Sequence, residues 1–221
     1  MSGLNLNQNQ FSDFINISNN VFYPLINFVN KNDFNNILYK LRLKKNFFPY
    51  PIFFGINRKN YFKYKNKKKL IFFYKSKIVA KVNNLKFFDI NKKKFGYKIY
   101  GKNYKKHPYY KKFVNENYKF LSFDLEKTYK KNLNKNFFIS PARFIKKIKR
   151  KNLAAFHTRN VPHAAHAWIH EYLIKKFNSL LIQPLIGQYK VGEYKDETIM
   201  RLNKKIAKFY KNKKVFVIPF F

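Results

Sequence analysis

The chain has no cysteine among its 221 residues, which excludes disulfide staples and thiolate metal sites. It has only ten acidic residues, six glycines and a single tryptophan. Few carboxylates leave little from which to assemble acid–base machinery or a metal's oxygen ligands. Gly55, Gly96, Gly101, Gly187 and Gly192 lack the spacing of a phosphate-cradling loop. The most apolar long window, FINISNNVFYPLINFVN at 14–30, is interrupted by asparagines and Pro24, so no transmembrane segment is expected. Lysine and arginine are absent through residue 30, and neither a secretory signal nor an Arg-rich transit peptide is expected.

What is abundant is positive charge. Forty-eight Lys and Arg give a formal net charge of +38, which calls for a counter-charge where the protein works. Charge on this scale suits many phosphate contacts better than one small ligand. It is unevenly spread: residues 1–30 contain only Asp13, 31–151 carry +31, and 152–221 carry +8. Three regions are therefore expected. Residues 1–30 form a low-charge N-terminal arm or docking helix, 31–151 a strongly basic, aromatic-interleaved RNA-contacting region, and 152–221 a C-terminal α+β body segment. Lysine outnumbers arginine 42 to 6, beside 29 Asn, 27 Phe and 20 Ile. These residues (arginine apart) have AT-rich codons, so part of the lysine content reflects mutational pressure.

Local patterns predict an α+β fold: a small mixed body with basic, aromatic-rich extended segments. Phe11, Phe14, Ile15, Val21, Phe22, Leu25 and Ile26 have roughly helical spacing. The stretch 58–82 reads as strands joined by a turn at Asn83-Asn84, and 91–113, with two glycines and a proline, as an extended basic segment. SPARFIKKIKRKN at 140–152 reads as a basic amphipathic helix started by Ser140 and Pro141. A strand is expected around Pro184. A helix is expected over 195–211, with Ile199, Leu202, Ile206 and Phe209 as its buried stripe, then a last strand in KVFVIPFF.

HTRNVPHAAHAWIHEY at 157–172 stands apart from this background. It holds four of the five histidines, the only tryptophan and no lysine. A helix from Pro162 to Phe177 would place His163, His166 and His170 on one face and Trp168, Ile169, Tyr172 and Leu173 on another. His166 and His170 have the i, i+4 spacing of a zinc chelate, but the pattern is H-x-x-x-H-E, and no third ligand is evident. Contact with RNA or a neighbouring chain remains, beside plain packing of the segment against the protein's own sheet. In the contact reading Trp168 anchors the helix to the body, while Arg159 and Asn160 supply a phosphate fork and an amide.

In its Lys/Asn/Phe/Tyr/Ile dominance, NKKKFGYKIYGKNYKKHPYYKKF at 91–113 and SPARFIKKIKRKN, the chain resembles an organelle-encoded, ciliate-like mitochondrial ribosomal protein. The resemblance implies a structural constituent that binds rRNA and neighbouring ribosomal proteins. It implies no enzymatic role, no small-molecule substrate, no cofactor and no metal. The expected location is the mitochondrial matrix, with a relict plastid as alternative. The expected RNA contacts are Arg58, Lys59, Lys67, Lys68, Lys69, Lys92, Lys93, Lys94, Tyr104, Lys105, Lys106, Lys111 and Lys112. Further along the chain they are Arg143, Lys146, Lys147, Lys149, Arg150, Lys151, Arg159, His163, His166 and His170. The alternative function is an accessory subunit of a respiratory or ATP-synthase complex, meeting anionic lipid through its basic face.

Overall fold

A computed structural model describes residues 2–129, 144, 152–186, 192, 194–210 and 214–219. The chain is α+β and divides into two compact units, Met1–Lys135 and Asn136–Phe221.

The first unit is built on a five-stranded sheet. Its strands are β1 (Gly3–Asn5), β4 (Phe54–Ile56), β5 (Lys69–Tyr74), β6 (Lys77–Phe88) and β7 (Lys119–Thr128), in the order β1-β5-β6-β7-β4. β1 runs parallel to β5, and the other neighbours are antiparallel. A small hairpin, β2 (Arg42–Leu43) with β3 (Asn46–Phe47), stands apart from it. Phenylalanine makes the core: Phe54, Phe72 and Phe120 are fully buried, Phe72 lies stacked on Phe54 at 5.2 Å, and Phe123 meets both edge-on. Each such ring contributes about 1.5–3 kcal/mol by leaving water.

The chain turns between β5 and β6 at Lys75 and Ser76, both in the left-handed region, rather than at Asn83-Asn84. The two asparagines lie inside β6, where the pairing with β7 is irregular. A bulge absorbs a local turn signal without ending the strand.

Helices α1 (Gln8–Ser18), α2 (Lys31–Lys40), α3 (Arg58–Tyr64) and α4 (Lys92–Tyr100) each begin at an asparagine. In every case its side chain accepts the N–H of the third helical residue. At α1 Gln10 reciprocates to complete a capping box. α1 stops at Ser18, and the apolar residues at 21–26 do not prolong it. The 91–113 stretch departs most from expectation. It forms α4, a 3-10 turn at Tyr104–Lys106 and α5 (Pro108–Glu116). Asn91 caps one helix, Pro108 opens the next, and Phe95 and Phe113 sink their rings together at 4.5 Å. Gly96 permits the corner: a Cβ there would stand 2.4 Å from the rings of both Tyr104 and Tyr110.

The second unit has a parallel three-stranded sheet, ordered β10-β9-β8. β8 is Ala154–Thr158, β9 is Leu180–Pro184 and β10 is Val215–Val217. Helix α6 (Ala164–Phe177) joins β8 to β9, and α7 (Asp196–Phe209) lies between β9 and β10, as parallel pairing requires a crossover. β9 is central, and Leu180, Leu181 and Ile182 are all buried, which accounts for an unbroken apolar run instead of alternation. α6 ends at Asn178, in the left-handed conformation asparagine tolerates. Ile199 of α7 is buried as expected, but Phe209 is 72% exposed. The expected helix over 140–152 lies outside the described residues apart from Phe144 and Asn152. No helix among the described residues is long and apolar enough to cross a membrane.

Candidate active site

β8 delivers its last residues to the carboxyl end of a parallel sheet, where α/β folds collect ligands. Thr158 closes the strand: its hydroxyl accepts the N–H of Asn160 at 3.1 Å, and its carbonyl accepts that of Leu185 at 2.7 Å. Arg159, Asn160, Val161 and Pro162 then lead into α6, whose N-cap is His163. His163 makes no side-chain capping bond, and the first turn carries no acidic residue. The leading amides of this 14-residue helix therefore have no side-chain cap, and the positive end of the helix dipole is not offset by an acidic residue of its first turn. Ala164 and Ala165 are exposed and small, so a ligand can approach the backbone closely.

The three α6 histidines form a ladder. The His163 and His166 rings stack at 3.9 Å, and His166 and His170 lie nearly parallel at 6.3 Å. Phe156 of β8 meets His166 at 5.2 Å and His170 at 4.6 Å, both T-shaped. Burial, then the neighbouring His163, holds His166 below the usual imidazole range against a hydrogen bond with the Val161 backbone. His170 is pushed down to about 4, chiefly by burial and then by His166. These shifts favour the neutral imidazole, which has one N–H and one lone pair; in His166 the N–H goes to the Val161 carbonyl. Arg159 supplies permanent positive charge. A helix N-terminus, a guanidinium, an amide and two imidazoles thus fall within one strand–loop–helix turn.

The ladder corrects two expectations. His170 has no exposed surface, so it cannot face an external partner. Trp168 is 70% exposed and anchors nothing; its ring stacks on Tyr172 at 6.2 Å, on the outside of α6. The helix packs through Leu173, Ile174 and Phe177 instead. Phe156, Thr158 and Tyr210 complete the site's surroundings and were not singled out from sequence. The QPL sequence at the end of β9, where the Leu185 N–H reaches the Thr158 carbonyl, is the one local signal that could have drawn notice. No group of three His, Cys, Asp or Glu among the described residues could hold a metal ion.

The remaining expected contacts belong to other surfaces. Arg58 and Lys59 open α3, where Arg58 lies over the rings of Phe62 and Tyr118 at 6.0 and 5.9 Å. Lys67, Lys68 and Lys69 are exposed ahead of β5, with Lys69 paired to Glu126 at 3.5 Å. Lys92, Lys93, Lys94, Lys105, Lys106, Lys111 and Lys112 gather on the α4–α5 corner. There Lys92 donates to the Asn117 carbonyl and Lys112 pairs with Glu116 at 3.8 Å. Tyr104 is half-buried, edge-on to Tyr110 at 4.8 Å, so it packs the corner instead of offering a free face. Arg143, Lys146, Lys147, Lys149, Arg150 and Lys151 lie outside the described residues.

Residues 1–127 match the PUA-like domain family and residues 135–221 the ATP-sulfurylase family. Curated relatives are named sulfate adenylyltransferase. One from Staphylothermus marinus is 25% identical over 95% of this chain and 56% of its own length. One from Pyrococcus abyssi is 25% identical over 93% and 55%, and one from Hyperthermus butylicus is 38% identical over 27% of this chain and 15% of its own. The chain thus spans about half the length of the first two relatives. Among solved structures, the hexameric APS kinase from Thiobacillus denitrificans superposes with a TM-score of 0.68 over the whole chain and 41% of that protein, at 12% identity, a likeness of fold.

These matches overturn the ribosomal reading, and with it the non-enzymatic role, the rRNA and ribosomal-protein partners and the exclusion of a small-molecule substrate. The respiratory or ATP-synthase alternative falls with them. The physical reason is that excess positive charge signals an anionic partner without saying which: a triphosphate and a sulfate are anions too. Codon bias had also raised lysine throughout, so style carried no family information. Through residues 1–127 the chain belongs to the PUA-like domain family, followed at 135–221 by a segment matching ATP-sulfurylase.

Proposed function

We propose that the chain takes part in adenylyl transfer from ATP to sulfate, with the α6 N-terminus as its phosphate-binding site. A sulfate oxygen attacks the α-phosphorus, the bond from that phosphorus to the bridging oxygen breaks, and diphosphate leaves. The leaving group gathers charge as this bond lengthens, and fixed donors aimed at it stabilise the transition state more than the ground state. The leading amides of α6 and the guanidinium of Arg159 fill that role. His163 donates an N–H group to a phosphate oxygen; His166, whose neutral N–H is held by the Val161 carbonyl, donates from its second nitrogen once protonated beside the anion, and Asn160 holds the loop through its bond to Thr158.

One observation carries the reading: Arg159, Asn160, His163 and His166 lie in the loop and first helical turn that follow the carboxyl end of a parallel strand, inside the segment that matches ATP-sulfurylase. The test is sulfate-dependent release of diphosphate from ATP by the full chain, with the Arg159→Ala and His166→Ala variants. Loss of one transition-state donor is expected to cost on the order of 10²–10³ in turnover, with far-UV circular dichroism unchanged. Failure of the chain to bind ATP, or variants as active as the parent, would refute it.

A further inference from the structure

Behind the ladder, the second unit holds a buried polar pair that the proposed chemistry leaves unused. His170 is the only fully buried residue of α6. Its Nδ1 lies 2.8 Å from the hydroxyl of Tyr210, just beyond the last turn of α7. The two rings meet nearly perpendicular, with centroids 5.7 Å apart. The other ring nitrogen, Nε2, is buried and makes no hydrogen bond among the described residues. A helix that otherwise packs with aliphatic and aromatic side chains spends its one deep position on a half-satisfied imidazole, and an apolar residue there would avoid the cost of the orphaned nitrogen.

The geometry shows what this position does. His166 is bounded by His163 on one side, His170 on the other and Phe156 beneath. His163 is exposed, so the walls toward the sheet are Phe156 and His170, while the Val161 backbone holds His166 from the loop side. Phe156 is held by the sheet. His170 is confined by burial and by Phe156, and the Tyr210 hydroxyl fixes which way its ring nitrogens face.

We infer that His170 and Tyr210 are a positioning pair: their hydrogen bond, running from α6 to the end of α7, fixes the imidazole wall that orients His166 toward phosphate. Neither residue touches the ligand. The use of His166 rests on the adenylyl-transfer reading; the placement of its ring does not. The groups acting electrostatically on the pair and on His166 include His163 at the head of α6 and Glu171 on it, while from β8 the uncharged Phe156 faces His166 and His170.

Two variants of the full chain test this. Tyr210→Phe removes one hydroxyl, and His170→Phe keeps a ring in the gap while removing the bond. Ring-nitrogen NMR of the histidines across pH reads the tautomer and titration of His166. Binding of inorganic tripolyphosphate reads the site. Both variants are expected to move the His166 titration up toward that of a free imidazole, as water reaches a loosened ring. They are also expected to weaken tripolyphosphate about two- to tenfold, the loss expected of one neutral hydrogen bond. A merely structural bond would lower the melting temperature and leave the folded-state His166 titration alone. That outcome, or tripolyphosphate binding equal to the parent's in both variants, overturns the inference. If the His166 titration moves but the parent binds neither tripolyphosphate nor ATP, the positioning pair stands and the adenylyl-transfer reading falls.

Discussion

Asp13 allows a stability prediction with its sign fixed. It sits in α1 between the buried residues Ser12 and Phe14, and burial raises its carboxyl from 3.8 to about 7. The folded protein therefore holds a proton there that the unfolded chain gives up between these values. The associated stability is fully present below pH 4 and is lost as pH rises through about 7. At 1.36 kcal/mol per pH decade the limit is about 4 kcal/mol, and partial solvation brings the expected effect to about 1–3 kcal/mol. Asp13→Asn keeps the shape and removes the charge. It should be more stable than the parent by about that amount at pH 8 and no more stable at pH 4. Chemical denaturation read by amide exchange in the five-stranded sheet measures this directly. A difference between parent and variant that is the same at both pH values would refute the reasoning.

Further expectations concern both units. The second unit should respond in the opposite direction: His170, held down at about 4, destabilises it as pH falls from 6.5 toward that value. The melting curve of the His170→Phe variant should be flatter over this range. Gly96→Ala pushes a methyl into the rings of Tyr104 and Tyr110 and should cost about 1–3 kcal/mol by overpacking, read by urea denaturation. Phe72→Ala empties a fully buried site, and a loss of about 3–5 kcal/mol is expected in the same measurement. Trp168 emission should be open to acrylamide quenching in the folded chain, since the ring is 70% exposed; protection from quencher would contradict its placement.

The sequence by itself determined those elements whose signals are local. The helix at 196–209 has acidic residues in its first turn and a lysine in its last, and the apolar run around Pro184 reads as a strand, which β9 is. The histidine ladder was legible because helical spacing alone puts His163, His166 and His170 on one side. Composition, by contrast, misled: lysine and tyrosine in 91–113 suggested an extended segment, yet Phe95 and Phe113 found each other across a corner that glycine allows.

Only the tertiary structure decided which face of α6 meets the sheet. A helix carrying Trp168 and Tyr172 on one side and three histidines on the other offers the sheet two candidate faces. The sheet took neither wholly: it covered Leu173, Ile174 and Phe177 and drew His170 inside. The buried imidazole meets a partner 40 residues away, Tyr210, whose hydroxyl lies within hydrogen-bond distance of one ring nitrogen and offsets part of the cost of its burial. No window of sequence contains that bond, because it forms only when α6 and the end of α7 pack on the same sheet.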